Sequence, residues 1–280
     1  MVDGVTLRGG VIVASGGGVL MTAGTIRNCA IANNSAGGDG QIGGGICMNG
    51  GLLQNSTVIS NTVTSSWDTY GGGIGLTSGT VENCMIAYNT ESCGNRGGGG
   101  VYLRGGTLRN SLVFGNSAPK YAYSSYSNIA AGVWITGGTM YNCTIVRNRS
   151  AGNCGGVYVA GGGITNCIVW NNVADSGVAN DLNYSTLITY SCSSGLSNGV
   201  NNCTTNDPAF VASGSGSGLT AVLGNCALVA GSPCINKGTN DLSWMTGTLD
   251  LAGKARIQAG TVDMGAYEWV PPGGTVILFR

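Results

Sequence analysis

Two asparagines six residues apart recur six times along the chain, and each pair follows a run of glycines and a short apolar segment. The first asparagine lies nine residues after the apolar residue that follows the glycine run. Successive copies of the unit are 24 to 32 residues apart. A unit of this size with joints of variable length is typical of a solenoid. The corner column, as we call the first asparagines, is Asn28, Asn55, Asn83, Asn110, Asn142 and Asn166. The ladder column, the second asparagines, is Asn34, Asn61, Asn89, Asn116, Asn148 and Asn172.

Within each unit the apolar residues recur two positions apart, as they do in β-strands. In the third copy Ile74 and Leu76 lie on one strand, and Gly79 then bends the chain. Val81 and Ile86 continue the alternation on the strands that follow. No unit contains the helical periodicity of a βαβ crossover or a helical repeat. The pattern therefore predicts an all-β fold, a parallel β-helix of about seven regular coils.

Asparagine at a fixed position has a physical explanation. Asparagine adopts the left-handed backbone conformation more easily than most residues, and its amide can bond an identical amide in the next coil. Glycine suits the other corners because it accepts a positive φ without strain. We therefore expect both columns to lie at corners of the coil and to form ladders along the rod.

The chain divides into three regions. Residues 1–180 are expected to form the regular coils, since the opening segment also fits the second half of the unit. Between residues 181 and 270 the pattern decays, which predicts degenerate coils and an irregular C-terminal cap over the bottom of the rod. Residues 271–280 are expected to form a Pro/Gly linker and a terminal β-strand.

Two sets of motifs resemble bacterial repeat proteins. The GG-x-Val/Ile motifs, paired with hydrophobic-x-x-Asn motifs such as Ile86 to Asn89, resemble the GGAI and FxxN repeats of polymorphic outer-membrane proteins. The runs GSPCINKG, DLAGKARI and GTVDMGAYEW resemble the closing segment of secreted right-handed β-helix repeat proteins of bacteria. The resemblance implies a right-handed parallel β-helix, secretion, and a role at the cell surface such as adhesion.

Composition limits the possible partners. Only 9% of the residues are charged, 12 basic residues balance 12 acidic ones, and the sequence has no histidine. This balance provides no basic surface for nucleic acid, and no apolar stretch is long enough for a membrane span. The first residues do not resemble a signal peptide, so we expect a mature fragment or an expressed piece of a longer secreted chain. We expect no cofactor and no metal, because the cysteine spacings match no zinc motif and no histidine is available.

The 11 cysteines are many for a cytosolic chain. Four of them follow a corner asparagine, where serine stands in two other copies, and this pattern favours small core residues. Neighbouring coils would nevertheless bring Cys143 and Cys167 within disulfide range. Two further pairs in the irregular region are candidate disulfides, with free thiols as the alternative: Cys192 with Cys203, and Cys226 with Cys234.

Some parallel β-helix proteins cleave polysaccharides, and that activity requires clustered carboxylates, for calcium or for acid/base chemistry, or a Lys or Arg base in a cleft. The acidic residues of the repeats occupy different positions of the unit. Glu82 and Arg109 share an outward column on adjacent coils, which favours an ion pair over a catalytic pair. Asp250, Asp263 and Glu268 are closer together in sequence, but they belong to the closing motif. The sequence therefore favours a protein without catalytic residues.

One outward column carries aromatic residues on three consecutive coils: Tyr102, Trp134 and Tyr158. Such a column can stack on sugar rings. The long joint beside it adds three candidate contacts: Tyr121, Tyr123 and Tyr126. Two interpretations remain open, since either the column and the loop bind a glycan or a protein, or the loop covers the column.

The chain ends in a strong β segment after a Pro-Pro-Gly-Gly linker: Thr275, Val276, Ile277, Leu278 and Phe279. Coil ends are open sheet edges, and a strand on a short linker can pair with the edge of another chain. Head-to-tail contacts of this kind produce a filament. The alternatives are that the segment folds back on its own rod or begins an anchor.

These features predict a non-catalytic extracellular protein with a structural or adhesive role at the cell surface, which assembles head to tail through its C-terminal strand. The expected partners are further copies of the chain, or a cell-surface glycan or protein. The alternative function is that of a polysaccharide-binding or polysaccharide-cleaving β-helix protein.

Overall fold

Short parallel strands form most of the molecule. The structure, a computed structural model, describes residues 1–65, 68–92, 97–119, 130–176, 180–184, 187–258 and 260–271. In chain order the strands are β1 (Val2–Asp3), β2 (Thr6–Arg8), β3 (Val11–Ile12), β4 (Val19–Met21), β5 (Thr25–Arg27), β6 (Ala30–Ala32), β7 (Ser35–Gly37), β8 (Ile46–Gln54), β9 (Thr57–Ile59), β10 (Thr62–Thr64), β11 (Ile74–Glu82), β12 (Met85–Ala87), β13 (Thr90–Ser92), β14 (Val101–Leu103), β15 (Thr107–Arg109), β16 (Leu112–Phe114), β17 (Ser117–Ala118), β18 (Val133–Ile135), β19 (Thr139–Tyr141), β20 (Thr144–Val146), β21 (Arg149–Ser150), β22 (Val157–Val159), β23 (Gly163–Thr165), β24 (Ile168–Trp170), β25 (Val173–Ala174), β26 (Leu182–Tyr184), β27 (Ile188–Thr189), β28 (Cys192–Ser193), β29 (Phe210–Ala212) and β30 (Asn225–Leu228). Two 3₁₀ helices are Val200–Asn202 and Gly218–Thr220.

Three parallel sheets run along the rod. The first contains the strands before each corner asparagine, and strands one coil apart pair in register, as β14, β18 and β22 do. The second has the order β2-β6-β9-β12-β16-β20-β24-β28, and the third has the order β3-β7-β10-β13-β17-β21-β25. In the described part of the chain these strands form about six complete coils with partial coils at both ends. The predicted parallel β-helix is therefore confirmed, with slightly fewer complete coils than the seven expected.

One apolar core fills the interior of the coil. In the third copy Ile74, Leu76, Val81 and Ile86 are fully buried, and their equivalents in the other coils belong to the same cluster. The core is shared along the rod, since each coil contributes only a few side chains. The coils are consequently expected to depend on their neighbours for stability.

In the third sheet, each coil buries one residue in addition to those that the apolar alternation of the sequence predicts. This residue follows each ladder asparagine by two places: Ala36, Val63, Glu91, Ala118, Ser150 and Ala174. Small and polar side chains dominate this set, so it produced no apolar pattern in the sequence.

The C-terminal region packs against the side of the rod. The described residues of 205–271, called the side cover here, form a second core with outward side chains of the second sheet. Phe114 and Ile168 of the rod lie in this core with Phe210 and Met264 of the side cover. Polar contacts join the two parts as well: Tyr88 Oη, for example, donates to the carbonyl of Ala221 at 3.0 Å.

This position differs from the predicted cap over the bottom of the rod. Leu196 and Cys203 pack against the interior core beside Leu182 and Ile188, which belong to the last, partial coil. The segment just before the side cover therefore closes the last coil. The side cover instead buries the apolar outer face of the second sheet, which would otherwise be exposed to solvent.

Candidate functional site

The ladder column forms a continuous chain of hydrogen bonds. From Asn34 to Asn172, each side-chain amide nitrogen donates to the amide oxygen of the next asparagine at 2.9–3.0 Å. The backbone N–H of each of these asparagines donates to the same oxygen. All six side chains are buried. The ladder column therefore has a structural role inside the rod.

Asp181 takes the last place in this ladder. Its Oδ1 accepts bonds from the backbone N–H and the side-chain amide of Asn172 at 2.9 and 3.0 Å. Burial raises the pKa of Asp181, while the Ser194 hydroxyl donates to its other oxygen at 2.6 Å. The repeat pattern does not predict this residue, because Asp181 follows Asn172 by nine residues instead of a full repeat. A carboxylate oxygen can replace the amide oxygen as the acceptor.

The corner column adopts the left-handed conformation, with φ between 48° and 58°. It does not form a continuous ladder: within the column only Asn166 and Asn142 bond each other among the described residues, at 3.4 Å. The six amides instead divide into two halves with different surroundings. The side cover contacts Asn110, Asn142 and Asn166, whereas Asn28, Asn55 and Asn83 face a groove that Asn110 also lines.

The covered half binds the backbone of the side cover. The amide nitrogen of Asn110 donates to the carbonyl of Leu249 at 2.7 Å. The side chain of Asn166 forms two hydrogen bonds with the backbone of Thr239, at 2.9 and 2.8 Å. The amide nitrogen of Asn142 donates to the carbonyl of Asp263 at 3.5 Å. These corner asparagines therefore hold the side cover against the rod.

The open half lines a groove of about 790 Å³, called the corner groove here. Its lining includes Asn28, Asn55 and Asn83 of the corner column and Trp244 and Leu249 of the side cover. The amide nitrogen of Asn28 donates to Oδ1 of Asp3 at 2.8 Å. Side chains of the first and second sheets form its walls: Gln54, Glu82, Thr57 and Met85. Asn28 and Asn55 are exposed, and Asn83 is half-buried.

Three polar atoms at the corner groove are shielded from solvent and have no hydrogen-bond partner in the described part of the chain. Two are acceptors, Oδ1 of Asn83 and Oδ1 of Asn110. The third is a donor, Nε1 of Trp244. All three residues line the corner groove, and Asn110 is only 2% exposed.

The charged side chains of the corner groove are paired. Glu82 forms an ion pair with Arg109, and its other carboxylate oxygen accepts a bond from Gln54 at 2.9 Å. The Arg109 guanidinium lies 4.5 Å from the ring centre of Trp244. Asp250 accepts bonds from three backbone N–H groups. The corner groove is therefore polar but carries no unpaired charge among these residues.

The predicted aromatic column is largely buried. Tyr102 and Trp134 are 8% and 6% exposed, and Tyr158 is half-buried. Tyr70 stacks on both buried rings, with ring centroids 4.6 Å from Tyr102 and 5.5 Å from Trp134. The repeat pattern does not predict the position of Tyr70, because this residue lies in a joint between two units. The column presents little ring surface to a ligand, so ligand binding there stays a prediction.

Two groups of predicted site residues lie outside the described residues. They are the loop tyrosines Tyr121, Tyr123 and Tyr126, and the terminal strand residues Thr275, Val276, Ile277, Leu278 and Phe279. Their proposed roles also stay predictions.

The ten cysteines in the described ranges are free and buried. The backbone N–H of Cys143 donates to Sγ of Cys167 at 3.4 Å, and that of Cys84 donates to Oγ of Ser111 at 3.2 Å. The small residue after each corner asparagine therefore links one coil to the next without a disulfide. Cys143 and Cys167 are neighbours, as the coil spacing predicts, but they remain thiols.

The structure does not bring together the predicted pair Cys192 and Cys203. Cys203 lies in the interior core, whereas Cys192 points outward into the core of the side cover. A hydrogen bond with the thiol of Cys234, together with burial, raises the pKa of Cys192. Cys226, the predicted partner of Cys234, lies in the same outer core as a free thiol. Cys192 and Cys203 are apart because successive side chains of a strand point to opposite faces of the sheet. This alternation turns the Cys192 side chain away from the interior.

The acidic residues of the closing motif form a buried polar network around Arg256. Arg256 pairs with Glu268 at 3.1 Å, and both are almost fully buried. Glu268 accepts bonds from the N–H of Asp263, and Asp263 accepts from the N–H of Trp269 at 2.6 Å. Asp250 accepts from the N–H of Glu268 at 2.7 Å. The closing motif therefore stabilises the fold of the side cover. Because its carboxylates are buried, they are not accessible to a substrate.

In the ranges that the structure describes, no three cysteine or acidic side chains are arranged to hold a metal ion. The same ranges contain no helix with the length and apolar character needed to cross a membrane. The chain matches no protein-family model, no curated protein and no solved structure.

Proposed function

We propose that the protein is a secreted, non-catalytic β-helix of bacterial type with a structural or adhesive role at the cell surface, and that copies join end to end. The motifs that resemble secreted bacterial repeat proteins support its class and location. The feature that best supports assembly is the apolar, β-prone segment at residues 275–279, which has no place in the repeating unit.

The strands of the first coil have unpaired edges, and several of its apolar side chains are exposed to solvent. β1, β2 and β3 each lie at an edge of the parallel array, paired on one side with β5, β6 and β7. Val11 and Val13 are 83% and 84% exposed. An edge of this kind is a template for pairing with a further strand. The last coil differs, because Leu196 and Cys203 pack over its interior.

The C-terminal strand at residues 275–279 is the proposed partner for this edge. Its apolar, β-prone sequence follows a short linker, and main-chain pairing with an exposed edge is a common mode of recognition. A strand from one copy that adds to the first coil of the next produces a contact that does not close on itself. The proposed product is a filament of rods.

A non-catalytic role is supported by the state of the acidic residues. Asp250, Asp263 and Glu268 are buried in the side cover, where backbone N–H groups bind their carboxylates. Glu82 is paired with Arg109 on the surface of the rod. In most glycosidases, hydrolysis requires two carboxyl groups, one on either side of the scissile bond.

Sedimentation velocity tests the assembly proposal with three variants. We expect the 280-residue chain to form larger species as its concentration rises. Removal of residues 275–280, or the double substitution Val11→Asp and Val13→Asp, should leave single rods. The matched control is Val211→Asp with Val222→Asp, which places two charges on exposed valines of the side cover. A chain that stays monomeric at all concentrations, or assembly that survives both the truncation and the edge variant, would overturn the proposal.

A further inference from the structure

Two thiols meet where the last coil of the rod contacts the side cover. Cys192 begins β28, and its side chain points outward into the second core. Cys234 belongs to the side cover and lies in the same core. Both side chains are fully buried, and a hydrogen bond joins the two thiols. Residues 193–233 lie between them in the chain, so the contact joins two separate parts of the fold.

Polar contacts hold both cysteines against one short segment, residues 206–208. The Cys192 thiol donates to the carbonyl of Asn206 at 3.2 Å. The carbonyl of Pro208 accepts a bond from the Ser232 hydroxyl at 2.6 Å, and the same hydroxyl oxygen accepts from the backbone N–H of Cys234 at 3.2 Å. The positions of the two thiols therefore depend on several contacts besides the bond between them.

This contact differs from that of the other neighbouring thiols, Cys143 and Cys167. Sγ of Cys167 accepts a bond from the backbone N–H of Cys143, and Oγ of Ser111 accepts the equivalent bond in another coil. Cys143 and Cys167 therefore occupy a position of the unit at which serine forms the same bond. At the position of Cys192, the three preceding coils have Leu112, Thr144 and Ile168. The contact between Cys192 and Cys234 therefore belongs to the docking of the side cover and is not a feature of the repeat.

We propose that Cys192 and Cys234 form a disulfide that fastens the side cover to the last coil. This bond takes the place of the two pairs that the sequence suggested, Cys192 with Cys203 and Cys226 with Cys234. It closes a loop over residues 193–233, which contains β29, β30 and both 3₁₀ helices. A disulfide stabilises a fold mainly because it restricts the unfolded chain.

The oxidant is a small disulfide such as oxidised glutathione. The thiolate of one cysteine attacks a sulfur of oxidised glutathione and releases one molecule of reduced glutathione. The thiolate of the other cysteine then attacks the mixed disulfide and releases the second molecule. The two protons of the protein thiols pass to the two glutathione thiolates, and the two electrons of the protein thiols reduce the oxidant.

Burial determines when the bond forms. Thiol exchange requires a thiolate that the oxidant can reach. In the folded chain both side chains are buried, and the hydrogen bond with Cys234, together with burial, raises the pKa of Cys192. The disulfide therefore forms while the chain folds, before the side cover excludes the oxidant. The proposed secreted location would supply oxidising conditions, whereas a refolding experiment supplies its own oxidant.

Refolding of the 280-residue chain in a mixture of oxidised and reduced glutathione, or in dithiothreitol, tests the proposal. Free thiols are blocked with N-ethylmaleimide, and the chain is digested with pepsin, since an acidic digest suppresses thiol exchange. We expect mass spectrometry to detect peptides joined through Cys192 and Cys234 in the oxidised sample. The Tm of the oxidised chain should exceed that of the reduced chain by about 5–10 °C.

Two alanine variants assign this difference in Tm. Cys234→Ala should have the same Tm in both buffers. The matched control is Cys226→Ala, because Cys226 is a buried thiol of the same core that lies near the Arg147 guanidinium. The control should keep the difference between the buffers. Each variant is compared with itself, so the packing that alanine removes affects both of its measurements.

Three results would overturn the proposal. The first is the absence of a peptide joined through Cys192 and Cys234 in the oxidised sample. The second is a link from Cys192 to Cys203, or from Cys226 to Cys234, in its place. The third is a difference in Tm that persists in Cys234→Ala. None of these readouts depends on residues 275–280, so their failure is distinguishable from failure of the assembly test.

Discussion

Replacement of one ladder asparagine by alanine measures how much the buried amide chain stabilises the rod. Asn116 is fully buried at the middle of the ladder column. Its amide nitrogen donates to the carbonyl of Ile86 at 3.0 Å and to Oδ1 of Asn148 at 2.9 Å. Its oxygen accepts from the backbone N–H and the side chain of Asn89 at 2.9 and 3.0 Å. Asn116→Ala removes all four bonds.

The expected cost follows from the groups left without a partner. The substitution leaves the backbone N–H of Asn89 without its acceptor inside the rod, whereas the carbonyl of Ile86 lies in β12, which also pairs with β16. The amide of Asn89 keeps its bond to Val58, and Oδ1 of Asn148 keeps the backbone N–H of residue 116. A buried group that loses its partner costs about 1–3 kcal/mol. One such group predicts a loss of about 2 kcal/mol in the free energy of unfolding.

Urea unfolding followed by circular dichroism measures this loss. The matched control is Asn55→Gly, which removes an exposed corner amide and keeps the left-handed backbone. We expect the control to change the free energy of unfolding by no more than about 0.5 kcal/mol. A loss below about 1 kcal/mol for Asn116→Ala, or a loss equal to that of the control, would refute the reasoning.

Three further predictions concern the side cover and the thiols. Arg147 donates from all three guanidinium nitrogens to carbonyls of residues 213–216 at 2.5–2.9 Å. Arg147→Lys should therefore speed amide hydrogen exchange in residues 212–224. An unchanged exchange rate in these residues would contradict a role of the Arg147 contact in holding them. Burial raises the pKa of the Glu268 carboxyl group from 4.5 to about 8. The folded chain therefore binds the Glu268 proton more tightly than the unfolded chain does. The contribution of Glu268 to the free energy of unfolding falls as the pH rises from 4.5 to 8. The Tm should decline over this range and Glu268→Gln should flatten the decline, whereas identical slopes for both proteins would argue against the shift. Burial raises the pKa of both Cys84 and Cys154 to about 12, so iodoacetamide at pH 8 should label them only after unfolding, and rapid labelling of the native protein, detected by mass spectrometry, would show that they are accessible.

The coil was predictable because its spacing repeats. Apolar pairs such as Ile74 and Leu76 recur at the same distance before each corner asparagine, and only a coil of constant cross-section satisfies that constraint. The ladder was predictable for the same reason. Its end at Asp181 was not, since the last joint changes the spacing.

The side cover was less predictable because the repeating pattern specifies only the inward positions of the coil. β16 has the sequence Leu112-Val113-Phe114, and all three residues are buried. β9 has threonine and isoleucine on either side of Val58, and these two residues are only half-buried. An apolar residue at every position of a strand indicates burial on both faces. That signal, applied to β16, would have predicted a cover on this side of the rod.

The corner groove could not be predicted from the repeat alone. Asn55 and Asn142 occupy equivalent positions of the unit, but the side cover contacts only the second of them. Which amides are covered depends on the path of residues 239–265, and that path depends on long-range contacts. The burial of Trp134 has a similar origin, because Tyr70 stacks on it from a joint between two units.

Negative-stain electron microscopy of the 280-residue chain, with and without residues 275–280, tests the central claim of end-to-end assembly most directly. We expect filaments one rod wide for the 280-residue chain and single short rods for the chain that lacks residues 275–280. Filaments aligned in a fibre should also diffract at the parallel-strand spacing, about 4.8 Å, along their axis. Dispersed single rods in both samples would contradict assembly through the C-terminal strand.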